Sequence, residues 1–125
     1  GYGLSYTTFE IRNAQPDREA YSAKDTVYVN VEVANTGQLD GKEVVQVYMS
    51  AKNSGVDRPA RELKGFEKVL VPAGETRDVT IAIPVSELAY YNVAKRAWEV
   101  EPIAYGFRVG NSSRNLQASF SIQVE

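Results

Sequence analysis

Between Thr26 and Ala34 every second residue is valine, and this alternation constrains the chain more than any other feature. Val27, Val29, Val31 and Val33 fall on one side of an extended backbone, and Tyr28, Asn30, Glu32 and Ala34 on the other. A strand turns successive side chains to opposite faces, so this period of two predicts one buried and one wet face. β-Branched residues in that register also disfavour a helix, where their χ1 freedom is low. Burying each valine contributes roughly 1.5–3 kcal/mol, an upper figure because unfolded chains are partly compact. The next stretch, Glu43 to Met49, is apolar on both faces apart from its leading Glu43 and Gln46, as suits a central strand covered on each side. Between the two stretches the seven residues Asn35 to Gly41 carry two glycines and are too long for a two-residue hairpin. They predict a corner at which the chain crosses from one sheet to another.

The rest of the chain repeats this grammar. Tyr6, Thr8, Phe9 and Ile11 supply β-formers after a glycine-containing start, and Asn13 to Lys24 reads as a polar connection. Ala51 to Arg61 is a loop, and Glu62 to Val71 a strand with a bulge at Gly65. Pro72 to Glu75 turns the chain into Val79, Ile81 and Ile83, which alternate until Pro84. Val85 to Tyr91 suggests one helical turn capped by Ser86. Ala97 to Val100, then Tyr105, Phe107 and Val109, give two more strands, with Gly110 to Ser113 as a turn. Leu116, Ala118, Phe120, Ile122 and Val124 close the series. Seven to eight short strands with almost no helix predict an all-β, two-sheet sandwich.

Composition removes most alternatives. A chain of 125 residues with 43% hydrophobic content is one globular domain, and no apolar run reaches the ~20 residues of a membrane helix. The net charge of −2 gives no basic field for nucleic acid or an anionic membrane. No secretory leader pattern is visible, and the chain lacks an initiator Met, as a piece cut from something longer would. There is no cysteine, so no disulfide holds the fold. The absence of histidine removes the commonest general base, metal ligand and nucleophile activator together. Any chemistry would have to run on carboxylates, Lys or Tyr, and the Asp and Glu residues read as a solvated surface, not as the paired acids of a glycosidase.

Several segments together resemble a known module. They are Gly1-Tyr2-Gly3-Leu4-Ser5-Tyr6-Thr7-Thr8-Phe9, Val33 to Gly37, Gly41 to Tyr48, Arg58 to Val69, Pro72 to Thr76, Trp98 to Pro102 and Val109 to Ser113. In this order they resemble the fibronectin type III-like domain of glycoside hydrolase family 3 enzymes, a group that includes β-glucosidases and β-xylosidases. The resemblance implies an immunoglobulin-like sandwich over residues 9–125, entered through a junction at residues 1–8. It implies a C-terminal accessory module with no catalytic residue, cofactor or metal of its own. Its partners would be the catalytic barrel and the α/β sandwich domain of the same polypeptide, which the module packs against. An alternative role, suggested for some relatives, is binding plant polysaccharide or lignin. Two positions depart from the family pattern: Asn92 stands where Asp is usual, and Ile103 where Gly follows the Glu-Pro pair.

Candidate contact residues follow. Arg58, Pro59, Arg61, Lys64 and Phe66 form a basic segment suited to docking on a neighbouring domain. Trp98 is expected between the sheets as a core ring, with a sugar-stacking platform beside Tyr90, Tyr91 and Tyr105 as the sharper alternative. Asn111-Ser112-Ser113 matches a glycosylation acceptor but reads better as a turn. Asp17, Glu19 and Asp25 match no calcium-loop spacing.

Overall fold

A computed structural model describes residues 8–51, 55, 61–112 and 115–125 of the chain. The order is β1 (Phe9–Pro16), β2 (Ala20–Tyr21), β3 (Thr26–Asn35), β4 (Gly41–Ala51), β5 (Glu62–Val71) and β6 (Thr76–Pro84), then a 3₁₀ turn (Val85–Leu88). It continues with β7 (Tyr90–Asn92), β8 (Ala97–Glu99), β9 (Ala104–Ser112) and β10 (Asn115–Val124). Strands β1-β3-β6 form one sheet, β2-β10-β9-β4-β5 a second, and β7-β8 a separate ribbon. The seven long strands are the predicted sandwich, joined antiparallel throughout; the two-residue β2 adds a parallel pairing to β10.

The valine stripe lies where its period put it. Val27, Val29 and Val33 are fully buried and Val31 nearly so, facing Val45, Val47, Met49, Tyr105, Phe107 and Val109 across the sandwich. β3 and β4 lie in different sheets, so Asn35 to Gly41 is the expected crossing. β4 is central between β5 and β9, although its outer residues Val44, Gln46 and Tyr48 are only half-buried.

Asn35 locks the corner. Its side-chain amide donates to the carbonyls of Leu39 (2.7 Å) and Val71 (2.9 Å), and its Oδ1 accepts from Gly37 N–H at 2.9 Å. Its backbone N–H donates to Glu75 O and its carbonyl accepts from Gly74 N–H, at 2.9 and 3.1 Å. One buried amide thus ties the sheet crossing to the β5–β6 turn, where Gly74 sits at a φ of +74°.

At the side of the sandwich β5 meets β6. A Cβ on Gly65 would lie 2.9 Å from the Ile81 Cγ2, so glycine is what lets the two sheet edges close. The bulge is one residue earlier than its glycine: Gly65 pairs with Val47 and Leu63 with Tyr48, leaving Lys64 extra.

Three local expectations are corrected. Residues 13–24 are not simply a connection. β1 continues to Pro16 through an irregularity with Asn13 at φ 56°, and β2 interrupts the rest. Ser86 lies inside the 3₁₀ turn, which starts after Pro84 without a side-chain cap. Gly110 to Ser112 belong to β9, because Ser112 still pairs with Asn115. The Glu101–Ile103 corner is tight without glycine, since Ile103 N–H donates to Glu101 O at 2.9 Å.

Candidate interdomain interface

The outward face of the five-stranded sheet carries the most exposed apolar strip on a regular strand. The bulge at Lys64 puts Leu63 on the same side as Phe66 and Leu70, and these are 48%, 67% and 56% exposed. Half-buried Val44 and Tyr48 of β4 continue the strip. Lys68 stands within it between Phe66 and Leu70, Lys42 and Arg108 stand beside it, and no Asp or Glu points outward from β4, β5, β9 or β10 among the described residues. Next to the strip a depression of about 380 Å³ is lined by Ser50, Arg61, Gly106, Arg108, Ser119 and Ser121. The opposite outer face, on β1-β3-β6, is acidic: Glu10, Glu32 and Asp78 against Arg12. The sandwich is therefore polarised, with one basic apolar face and one acidic polar face.

The docking residues read from the sequence divide on this frame. Phe66 is the centre of the strip, and exposed Arg61 borders the depression. Lys64 is half-buried in the bulge with its ammonium 3.6 Å from Glu62. Arg58 and Pro59 lie outside the described residues, as do residues 1–7 of the junction. Leu63 and Leu70 were not singled out from sequence, because the bulge hides their shared face behind a spacing of three.

The aromatic expectations change more. Trp98 is not a core ring: it is 70% exposed on β8, edge-on to Tyr91 with ring centroids 5.4 Å apart and planes at 73°. The ribbon is its own two-stranded sheet, so Trp98 never faces the sandwich interior. Tyr105 cannot join a surface platform. It is fully buried, with its hydroxyl donating to Glu101 O at 3.0 Å. That back-bond to a residue four positions upstream is the tyrosine corner of immunoglobulin-like sandwiches. Tyr90 turns away from Tyr91 and donates to Glu99 at 3.0 Å.

Glu99 collects three donors on that side of the ribbon. Lys95 contributes an ion pair at 2.9 Å, Asn92 Nδ2 a bond at 3.1 Å, and Tyr90 its hydroxyl. Lys95, then Asn92 and Tyr90, hold the Glu99 carboxyl below its ordinary range, and the same contact raises Lys95 and Tyr90. Asn92 gives Glu99 a donor that an Asp at this position could not.

The remaining polar groups are occupied structurally. Asp17 Oδ1 accepts from Tyr21 Oη at 2.6 Å and from Tyr28 N–H at 3.1 Å, while Asp25 accepts from Ser22 N–H at 2.8 Å. Arg18 reaches both carboxylates. Desolvation opposes ionisation of Asp17, but these hydrogen bonds outweigh it and its pKa falls; burial and then the Asp17 contact push Tyr21 up to about 12. Asn111 Nδ2 donates to Glu43 at 3.1 Å, so the acceptor tripeptide begins inside a strand. Among the described residues no group of three acidic side chains is placed to hold a metal.

Residues 43–113 match the fibronectin type III-like domain model, and the chain belongs to that family. Over its whole length it is similar to larger enzymes. It is 40% identical over 124 residues to thermostable beta-glucosidase B of Acetivibrio thermocellus, covering 99% of this chain and 16% of that protein. It is also 40% identical over 125 residues to an exo-alpha-(1->6)-L-arabinopyranosidase of Bifidobacterium breve. The solved beta-glucosidase of Kluyveromyces marxianus superposes with a TM-score of 0.88 at 42% identity, over 99% of this chain and 15% of that one. The chain thus spans about one-sixth of the relatives it matches. In the family 3 β-glucosidases among them this domain is a small accessory module, and the catalytic domains are elsewhere.

Proposed function

We propose that this chain is a non-catalytic accessory module, residues 9–125 behind a junction at 1–8, that packs on and stabilises the catalytic domains of a family 3 β-glycosidase. Docking uses the outer face of the five-stranded sheet, with Phe66, Leu63 and Leu70 as the apolar centre, Lys68 among them, and Arg61 and Arg108 beside it. The observation that carries this reading is the exposed apolar strip on β5, in a protein whose relatives continue for five times its length. Three large apolar side chains on one face, with Lys68 between two of them, are unfavourable in water and become favourable when a partner covers them. A basic surround selects a partner surface rimmed by carboxylates, because matched potentials fix register.

The test grafts the chain into the Acetivibrio relative in place of the 124-residue stretch it matches. Phe66→Ser with Leu70→Ser is expected to lower the thermal midpoint of the graft and leave the isolated chain unchanged. Equal effects in both settings, or none in either, overturn docking through this face. The isolated chain is also expected to release nothing from an aryl β-glucoside.

A further inference from the structure

The β7–β8 ribbon carries a surface that the sandwich does not use. Tyr91 and Trp98 are cross-strand neighbours on one side of it, and Val93 at the turn is 77% exposed. Arg96 closes that turn at a φ of 53°, its N–H donating to Val93 O at 3.3 Å. The other side is fastened by Glu99 to Tyr90, Asn92 and Lys95. A two-stranded ribbon alone is marginal in water, so this clasp is what presets the aromatic side. Leu88 just before the ribbon is buried, and Val100 just after it packs on the core, which anchors both ends.

Two ligand classes suit exposed aromatics, and the geometry separates them. A flat polysaccharide chain needs rings that share a plane, and these are inclined at 73°. Sugar sites also place polar groups beside the stacking ring. Here the polar cluster is on the opposite side of the ribbon, committed to Glu99. What remains is an apolar knob whose turn carries the exposed Arg96. Trp, Tyr and Arg are the residues that dominate protein–protein hot spots, and rigid presentation lowers the entropy of docking.

We infer that the ribbon is a second anchor of the module, with Tyr91 and Trp98 inserting into an apolar cleft of the catalytic part of the same polypeptide and Arg96 meeting a carboxylate at the rim. This rests on the accessory-module reading, and its occupant is chosen because the relatives continue well beyond the region this chain matches. Glu99 is a positioning residue: it touches no partner and holds the ring-bearing strand in place.

The same grafts test it, in both the Acetivibrio and Kluyveromyces hosts. Trp98→Ala is expected to lower the midpoint of the graft by several degrees while the isolated chain keeps its own, because the ring is outside the core. Glu99→Gln is expected to give a smaller loss in the graft. Identical behaviour of wild type and Trp98→Ala in both grafts overturns the inference, as does failure of both hosts to accept the intact chain. A loss from Trp98→Ala without one from the Phe66/Leu70 variant keeps the ribbon and rejects the sheet face; the reverse rejects the ribbon alone. Trp98 is the single tryptophan, so indole fluorescence of the isolated chain reports it directly. A saturable change on adding cellobiose or xylo-oligosaccharide would replace the protein partner with a sugar; no change is expected.

Discussion

Replacing Asn35 by alanine tests whether one buried amide holds the two sheets in register at their crossing. The substitution leaves Val71 O buried without its donor and frees Leu39 O and Gly37 N–H, which are partly reached by water. A buried orphan costs about 1–3 kcal/mol and each exposed exchange about 0.5–1.5 kcal/mol. Together these come to roughly 4 kcal/mol, or about 15 °C in the thermal midpoint of a domain of this size. Urea unfolding followed by circular dichroism measures it, with the slope against denaturant expected to stay constant because the surface exposed on unfolding does not change. Asn35→Asp is the sharper control. It keeps the shape but points a carboxylate at two carbonyls, so the folded state favours the protonated acid and raises its pKa above the unfolded ~3.9. Stability conferred by that proton is present below the unfolded pKa and lost as pH rises through the folded one. The deficit of Asn35→Asp relative to wild type is therefore expected to shrink on acidification, and that of Asn35→Ala to stay flat. An alanine cost below 1 kcal/mol, or parallel pH curves for the two variants, refutes the lock.

Three further outcomes follow from the packing. Tyr105→Phe removes the corner hydrogen bond inside the core and is expected to cost about 1–2 kcal/mol by chemical denaturation with the fold retained. Gly65→Ala forces a methyl against Ile81 Cγ2 and is expected to destabilise by about 1–3 kcal/mol in chemical denaturation. Tyr21, raised to about 12, contributes stability that is complete below pH 10 and lost as pH climbs toward 12; depressed Asp17 contributes stability present above pH ~3.9 and lost on acidification below it. Comparing unfolding midpoints of wild type and Tyr21→Phe at neutral and alkaline pH is expected to show the difference disappearing at the alkaline end.

Period-two alternation made β3, β6, β9 and β10 readable, because each buries one face against the opposite sheet. The crossing at residues 35–41 was legible from its length and glycines, but the role of Asn35 was not. Nothing in a local Asn-Thr-Gly marks a bond to Val71, 36 positions away. β5 was read as a strand with its bulge, yet the shared face of Leu63, Phe66 and Leu70 depends on which residue is extra, and that is fixed only by pairing with β4. Trp98 misled for a similar reason. A lone tryptophan in a sandwich is usually interior, and only the strand order reveals that residues 90–99 leave the sheets to form a separate ribbon.

Hydroxyl-radical footprinting of the chain, free and grafted into the Acetivibrio relative, measures most directly which surface meets a neighbour. Phe66, Leu63, Leu70 and Trp98 are expected to lose labelling in the graft, whereas Tyr28, 46% exposed on the acidic sheet, keeps its rate. Protection of Tyr28 with unchanged labelling of Phe66 and Trp98 would place the interface on the wrong side of the sandwich and contradict the docking described above.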